Sequence, residues 1–197
     1  LSTPNHAIDE DVLVQQLNLY KKIAEQLPYD SLIEITPLNG AGIVSYGVQL
    51  KAIQRVKHPL GDLICVAENQ AVFLTYFRNN ILHLFILPSL VACLMQHNGQ
   101  LQREQMVSVI ASLYPYLQSE LFLPWHVSEI EGLVNQHIDA LIDANMLSRH
   151  NDTIISPNPN TEAYAQLVIL GEAAKETIER YYMTISLLTR RGSGKSN

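Results

Sequence analysis

The chain has 197 residues, of which 47% are hydrophobic and only 16% charged, and its formal net charge is -6. Soluble domains carry about 25% charged residues, so here more apolar surface than usual must be covered by self-packing, a partner or a lipid surface. The acidic balance speaks against a phosphate-backbone binder, which needs a basic stripe; no nucleic-acid partner is expected.

Residues 1–8 are expected to be a disordered or cut end, because the chain opens on Leu1 and shows no basic-then-apolar leader. From Asp9 to Leu27 the residues Val12, Leu13, Leu17, Tyr20, Ile23, Ala24 and Leu27 recur at helical spacing. Acid at Asp9 to Asp11 suits the first turn, and Pro28 stops the helix. Pro37 and Asn39-Gly40-Ala41-Gly42 read as a loop, and Tyr46 to Val56 as a shorter helix. A turn at His58-Pro59-Leu60-Gly61-Asp62 leads to a short strand, Leu63 to Ala67. Ala71 to Met95 is the most apolar stretch, one helix or two broken near Pro88, closed by Asn98-Gly99. Its longest apolar run, Ile81 to Met95, is interrupted by His83 and Pro88 and falls short of the roughly 20 residues of a bilayer span.

In the second half, Arg103 to Gln118 reads as a helix, and so does Val127 to Asn145, opened by a Ser128-x-x-Glu131 capping box. Met146 to Ser156 resembles a hairpin around Asn151-Asp152. A long amphipathic helix runs from Thr161 to Leu188, and 190–197 form a flexible tail. The expected class is mainly α, a multi-helix domain with a few short strands. Helix, helix, strand or hairpin, long helix occurs twice, and Leu19-Tyr20 and Leu113-Tyr114 hold comparable places. Two tandem winged-helix-like units are therefore expected, one over 9–97 and one over 98–189.

Few residues offer chemistry. Cys65 and Cys93 sit in apolar runs and read as buried reduced thiols. His6 and Asp11 bracket four residues, a spacing at which a His could act as general base with an Asp orienting it. An anionic substrate beside Asp9, Glu10 and Asp11 would be repelled, so this pair is read as a chance match. Gly192-Ser193-Gly194-Lys195-Ser196 has Thr189 where a phosphate loop needs its first glycine, and it follows a helix rather than a strand. The seven histidines show no zinc spacing, and no nucleophile elbow or dinucleotide turn is present. No catalytic residue, metal or cofactor is expected.

The informative irregularity is Thr75-Tyr76-Phe77-Arg78-Asn79-Asn80-Ile81-Leu82-His83, where polar groups interrupt an apolar helix. A buried charge is costly unless paired, so Arg78 is expected to need a carboxylate, with Glu120 the candidate. Arg78, Asn79, Asn80, His83 and Glu120 thus form a candidate cluster, either a structural joint between the halves or a docking point for another domain.

Two stretches carry a resemblance. Gln70-Ala71-Val72-Phe73-Leu74-Thr75-Tyr76-Phe77-Arg78-Asn79-Asn80-Ile81, continuing through His83 to Leu87-Pro88-Ser89-Leu90, resembles the carboxy-terminal region of bacterial membrane-bound glycerol-3-phosphate 1-O-acyltransferases. So does Leu113-Tyr114-Pro115-x-Leu117-x-x-Glu120-Leu121-Phe122-Leu123-x-Trp125, and a looser likeness extends from Asp9 to Leu188. The resemblance implies a parent enzyme that moves an acyl group from acyl-CoA or acyl carrier protein to the first hydroxyl of glycerol 3-phosphate. It also implies a place at the cytoplasmic face of the inner membrane, in the first step of phospholipid synthesis. The family's His-to-Asp pair and its glycerol phosphate-binding blocks lie upstream of this region, so none is carried over. The implied partners are an upstream catalytic domain of the same chain and, secondarily, a membrane surface. The alternative is a stand-alone helical or winged-helix-like interaction module.

Overall fold

A computed structural model describes residues 7–30, 32–59, 61–66 and 70–192 of the chain. The first element is a short strand, β1 (Ala7–Asp9), and Asp9 ends it by capping the helix that follows, α1 (Glu10–Gln26). The Asp9 carboxylate accepts the Asp11 and Val12 amides at 2.9 and 3.2 Å, two of the donors a helix start leaves without partners.

Asn39 does the same for α2 (Gly40–Gln49), accepting the Gly42 amide at 2.9 Å. The segment Asn39 to Gly42 is therefore a capped helix start and not a loop. Its glycines allow a close crossing: a Cβ on Gly40 would lie 2.3 Å from the Val14 carbonyl oxygen of α1. The helix expected over Tyr46 to Val56 is also corrected, because it ends at Gln49 and the chain turns through Lys51 at φ 57°. Ile53–Val56 is then a strand, β2, paired antiparallel with β3 (Leu63–Val66). Apolar spacing alone could not separate helix from strand over so few residues; the ladder to β3 decides. β1 pairs with the other edge of β3, giving the order β1-β3-β2.

α3 (Ala71–Asn98) is one helix of 28 residues that passes through Pro88 without ending. Proline has no N–H to give to the carbonyl four residues back, which is Leu84. The chain divides into two compact units between Leu84 and Phe85, so the missing ladder bond coincides with the packing divide. α3 is the one helix among the described residues with the length and composition to cross a membrane, but half of its apolar stretch is buried inside the fold. Gly99, at φ 68°, ends it.

The second unit repeats the first in topology. β4 (Gln100–Gln102) leads directly into α4 (Arg103–Leu121), and a 3₁₀ turn, Val127–Glu129, leads into α5 (Ile130–Asp143). The hairpin β5 (Ser148–His150) and β6 (Thr153–Ile155) follows, turning through Asn151 at φ 53°, and then α6 (Glu162–Gly192), which takes in residues 190–192 expected in the tail, while 193–197 lie outside the described residues. The sheet order is β4-β6-β5, the same as in the first unit. The amide of Glu10 donates to the Asp62 carbonyl at 2.9 Å, and that of Arg103 to the Asp152 carbonyl, also at 2.9 Å. These two bonds join equivalent places, where the first helix leaves the sheet. Measured from Glu10 and Arg103, the Leu19-Tyr20 and Leu113-Tyr114 pairs are one residue out of register. The capping box also moves: His126 and Glu129 form it, with Glu129 Oε2 accepting the His126 amide at 2.6 Å, in place of Ser128 and Glu131.

The apolar core is unevenly shared. In the second unit Leu90, Ile110, Ile138, Ile154 and Leu170 bring α3, α4, α5, β6 and α6 to one fully buried centre. In the first unit, only Ile23, Val44 and Ile64 are buried apolar residues among those described.

Candidate functional site

His6 lies outside the described residues, so the His6 and Asp11 pairing has no geometry here. Its surroundings are defined. Asp9, Glu10, Asp11, Arg55 and Asp62 line a pocket of about 310 Å³. Arg55, from β2, donates through Nε and Nη2 to both carboxylate oxygens of Glu10 at 2.6 Å each. This hydrogen bond and the Glu10 charge raise the Arg55 pKa, with Asp62 adding to the effect. With Asp9 engaged as a helix cap, the pocket keeps four carboxylates around one guanidinium that is already engaged. That arrangement disfavours an anion, and the Asp9 and Glu10 carboxylates are committed to structure.

Arg78, Asn79 and Asn80 are exposed on the amino-terminal half of α3, and Arg78 Nη2 donates to Asn79 Oδ1 at 3.3 Å. The expectation that this stretch is buried is corrected: residues 75–81 are exposed at every position. His83 is half-buried and meets the Tyr29 ring edge-on, with centroids 4.9 Å apart and planes at 76°. Burial, reinforced by the Asp30 charge, raises the Tyr29 pKa. Glu120 is an exposed residue near the end of α4.

Three features escaped the sequence. Arg103, the counterpart of Glu10, pairs with Asp139 of α5 and donates to Asn135 Oδ1 at 3.1 Å. The Trp125 carbonyl accepts both the Tyr114 hydroxyl at 2.6 Å and the Gln118 amide at 2.8 Å. These bonds tie α4 to the loop after it and hold Phe122 in a left-handed conformation (φ 53°), uncommon for a bulky residue. The Tyr114-to-Trp125 string therefore has a structural role within the second unit. Finally, His137 is buried in α5 with no hydrogen-bond partner for Nδ1 among the described residues, and burial lowers its pKa from 6.5 to about 4.

Among the described residues no three His, Cys, Asp or Glu side chains gather as a metal site would require. Cys65 and Cys93 are free thiols, half-buried and not fully buried as expected. Burial raises the Cys93 pKa, which keeps the thiol protonated and poorly nucleophilic.

Comparison with known proteins supplies what the geometry does not. The family model described as the glycerol-3-phosphate acyltransferase C-terminal region matches residues 1–197. Similar proteins include the glycerol-3-phosphate acyltransferase of Pseudomonas paraeruginosa, 36% identical over 192 residues, with 98% of this chain and 23% of the relative covered. The protein of the same name from Xanthomonas axonopodis pv. citri is 37% identical over 198 residues, covering 98% of this chain and 22% of its own length. That of Pseudomonas syringae pv. tomato is 34% identical over 197 residues, with 100% and 24% covered. The chain thus spans under a quarter of the length of these relatives. No solved structure gives a significant match. By its full-length match, the chain belongs to the family of glycerol-3-phosphate acyltransferase C-terminal regions.

Proposed function

We propose that this region supports, without itself performing, acyl transfer from acyl-CoA or acyl carrier protein to the sn-1 hydroxyl of glycerol 3-phosphate. The observation that carries this reading is the whole-chain family match on a chain covering only 23% of its relatives. The pocket at the start of α1 supports it from the other side, because its acids repel a phosphorylated acceptor. In this reading an upstream catalytic domain of the same polypeptide is the partner. The reaction opens phospholipid synthesis at the cytoplasmic face of the inner membrane, where the protein is peripheral. Arg78, Asn79, Asn80, His83 and Glu120 are the polar groups through which the region would brace the catalytic half.

The test is acyl transfer to labelled glycerol 3-phosphate by the full-length acyltransferase, by the upstream half alone, and by the two parts mixed. Activity of the full chain and of the mixture, with little from the upstream half, is expected. Full activity of the upstream half alone would refute the supporting role. Turnover by this region alone would return catalysis to His6 and Asp11.

A further inference from the structure

The amino-terminal half of α3 contradicts the usual distribution of apolar residues. Val72 is 78% exposed, Phe73 59%, Tyr76 62%, Phe77 58% and Ile81 50%. Val72, Phe73, Tyr76 and Phe77 share one face of the helix at i, i+1, i+4 and i+5, Ile81 widens it to about half the circumference, and the Tyr76 and Phe77 rings meet edge-on at 5.9 Å. Isolated exposed apolar residues are ordinary, but a contiguous stripe of this size marks a contact surface. Not one Asp, Glu or Lys occurs anywhere in Ala71–Asn98.

Composition identifies the kind of partner. The cores of protein interfaces are rich in Phe, Tyr and Arg and poor in Lys, Glu and Asp, and this helix has that balance. A lipid-inserted face would carry basic residues along its flanks, whereas here Asn80 falls within the apolar arc itself and Arg78 and Asn79 lie outside it. Side-chain amides and a guanidinium are costly against hydrocarbon but ordinary in a protein interface. This chain covers 23% of the length of a relative, so in that relative a large polypeptide lies in cis to the matching region.

We infer that Val72, Phe73, Tyr76, Phe77 and Ile81 form the face by which this region docks into an apolar groove of the upstream part of the same acyltransferase polypeptide. The inference rests on the supporting role proposed above and names its contact. Membrane lipid and a second copy of the chain are the competing occupants.

The experiment places the photo-reactive p-benzoylphenylalanine at Phe73, Tyr76 or Phe77 of the full-length acyltransferase in native membranes. The polar, exposed Glu104 of α4 is the control position. After irradiation, cross-linked peptides are identified by mass. Intramolecular cross-links to upstream peptides from the α3 positions, absent from Glu104, are the expected result. Phospholipid adducts, covalent dimers, cross-links to another protein or an absence of cross-links at all three positions would overturn the assignment. The two readings fail separately. Acyl transfer that survives removal of the region refutes the supporting role and leaves the contact standing. Lipid or dimer adducts refute the contact and leave the role standing.

Discussion

The two units share one topology and solve the problem of covering it in opposite ways. Both run strand, helix, helix, hairpin, helix, with the first strand on the far edge of the hairpin. Both hand the first helix amide to the residue before the central strand. Yet the second unit closes a core around Leu90, Ile138 and Leu170, whereas the first buries Ile23, Val44 and Ile64 and leaves Phe73, Tyr76 and Phe77 exposed. Even the equivalent helix-start residues carry opposite charges: Glu10 meets Arg55, and Arg103 meets Asp139. Topology is thus independent of how much apolar surface a unit keeps for itself. The first unit keeps large apolar side chains on its surface.

The sharpest way to break this comparison is to truncate one large apolar side chain on each side. Ile138→Ala removes a fully buried side chain and is expected to cost about 2–5 kcal/mol in urea unfolding. Phe77→Ser on the exposed stripe should shift the same titration of the isolated region by no more than about 0.5 kcal/mol. Equal losses would mean that the first unit buries its own stripe.

Acid should act on the second unit. Burial keeps the His137 imidazole neutral when folded, with a pKa of about 4 against 6.5. Between those values the unfolded chain binds a proton that the folded chain does not, so stability falls as pH drops through this window. The loss approaches about 3 kcal/mol at the acid end. Urea midpoints at pH 7 and pH 4 read it directly, and His137→Leu should flatten the difference. An unchanged slope in that variant would assign the acid sensitivity to other groups.

A smaller effect is expected where the first unit relies on backbone approach. Gly40→Ala places a methyl 2.3 Å from the Val14 carbonyl oxygen, which α1 and α2 can relieve only by separating, at about 2 kcal/mol. A thermal midpoint at the parent value would show that the crossing is looser than described. Tyr114→Phe removes the 2.6 Å bond to the Trp125 carbonyl and should cost about 1 kcal/mol. Amide exchange should quicken in 122–126 and not in the hairpin.

The long helices were legible in the sequence because their apolar positions repeat over several turns: α1, α4, α5 and α6 lie where the spacing put them. The strands Ala7–Asp9 and Gln100–Gln102 were not, since three residues carry no period and owe their form to pairing with β3 and β6. Asn39 to Gly42 was misread for a related reason: the residues that cap a helix and let it approach a neighbour are also the residues of loops. The polar cluster in α3 was found by its composition, but its exposure was not. A run of Phe, Tyr, Ile and Leu implies burial only if the rest of the chain supplies something to bury it, and that is a tertiary property.

Hydrogen exchange across the full-length acyltransferase tests most directly whether the first unit's surface is covered in the parent protein. Peptides spanning 71–84 are to be compared with peptides from 103–117 of the self-contained second unit. The account predicts that α3 is protected as strongly as α4 in the full chain. Rapid exchange over 71–84, with α4 protected, would leave the stripe facing solvent and contradict the docking of this region through its first unit.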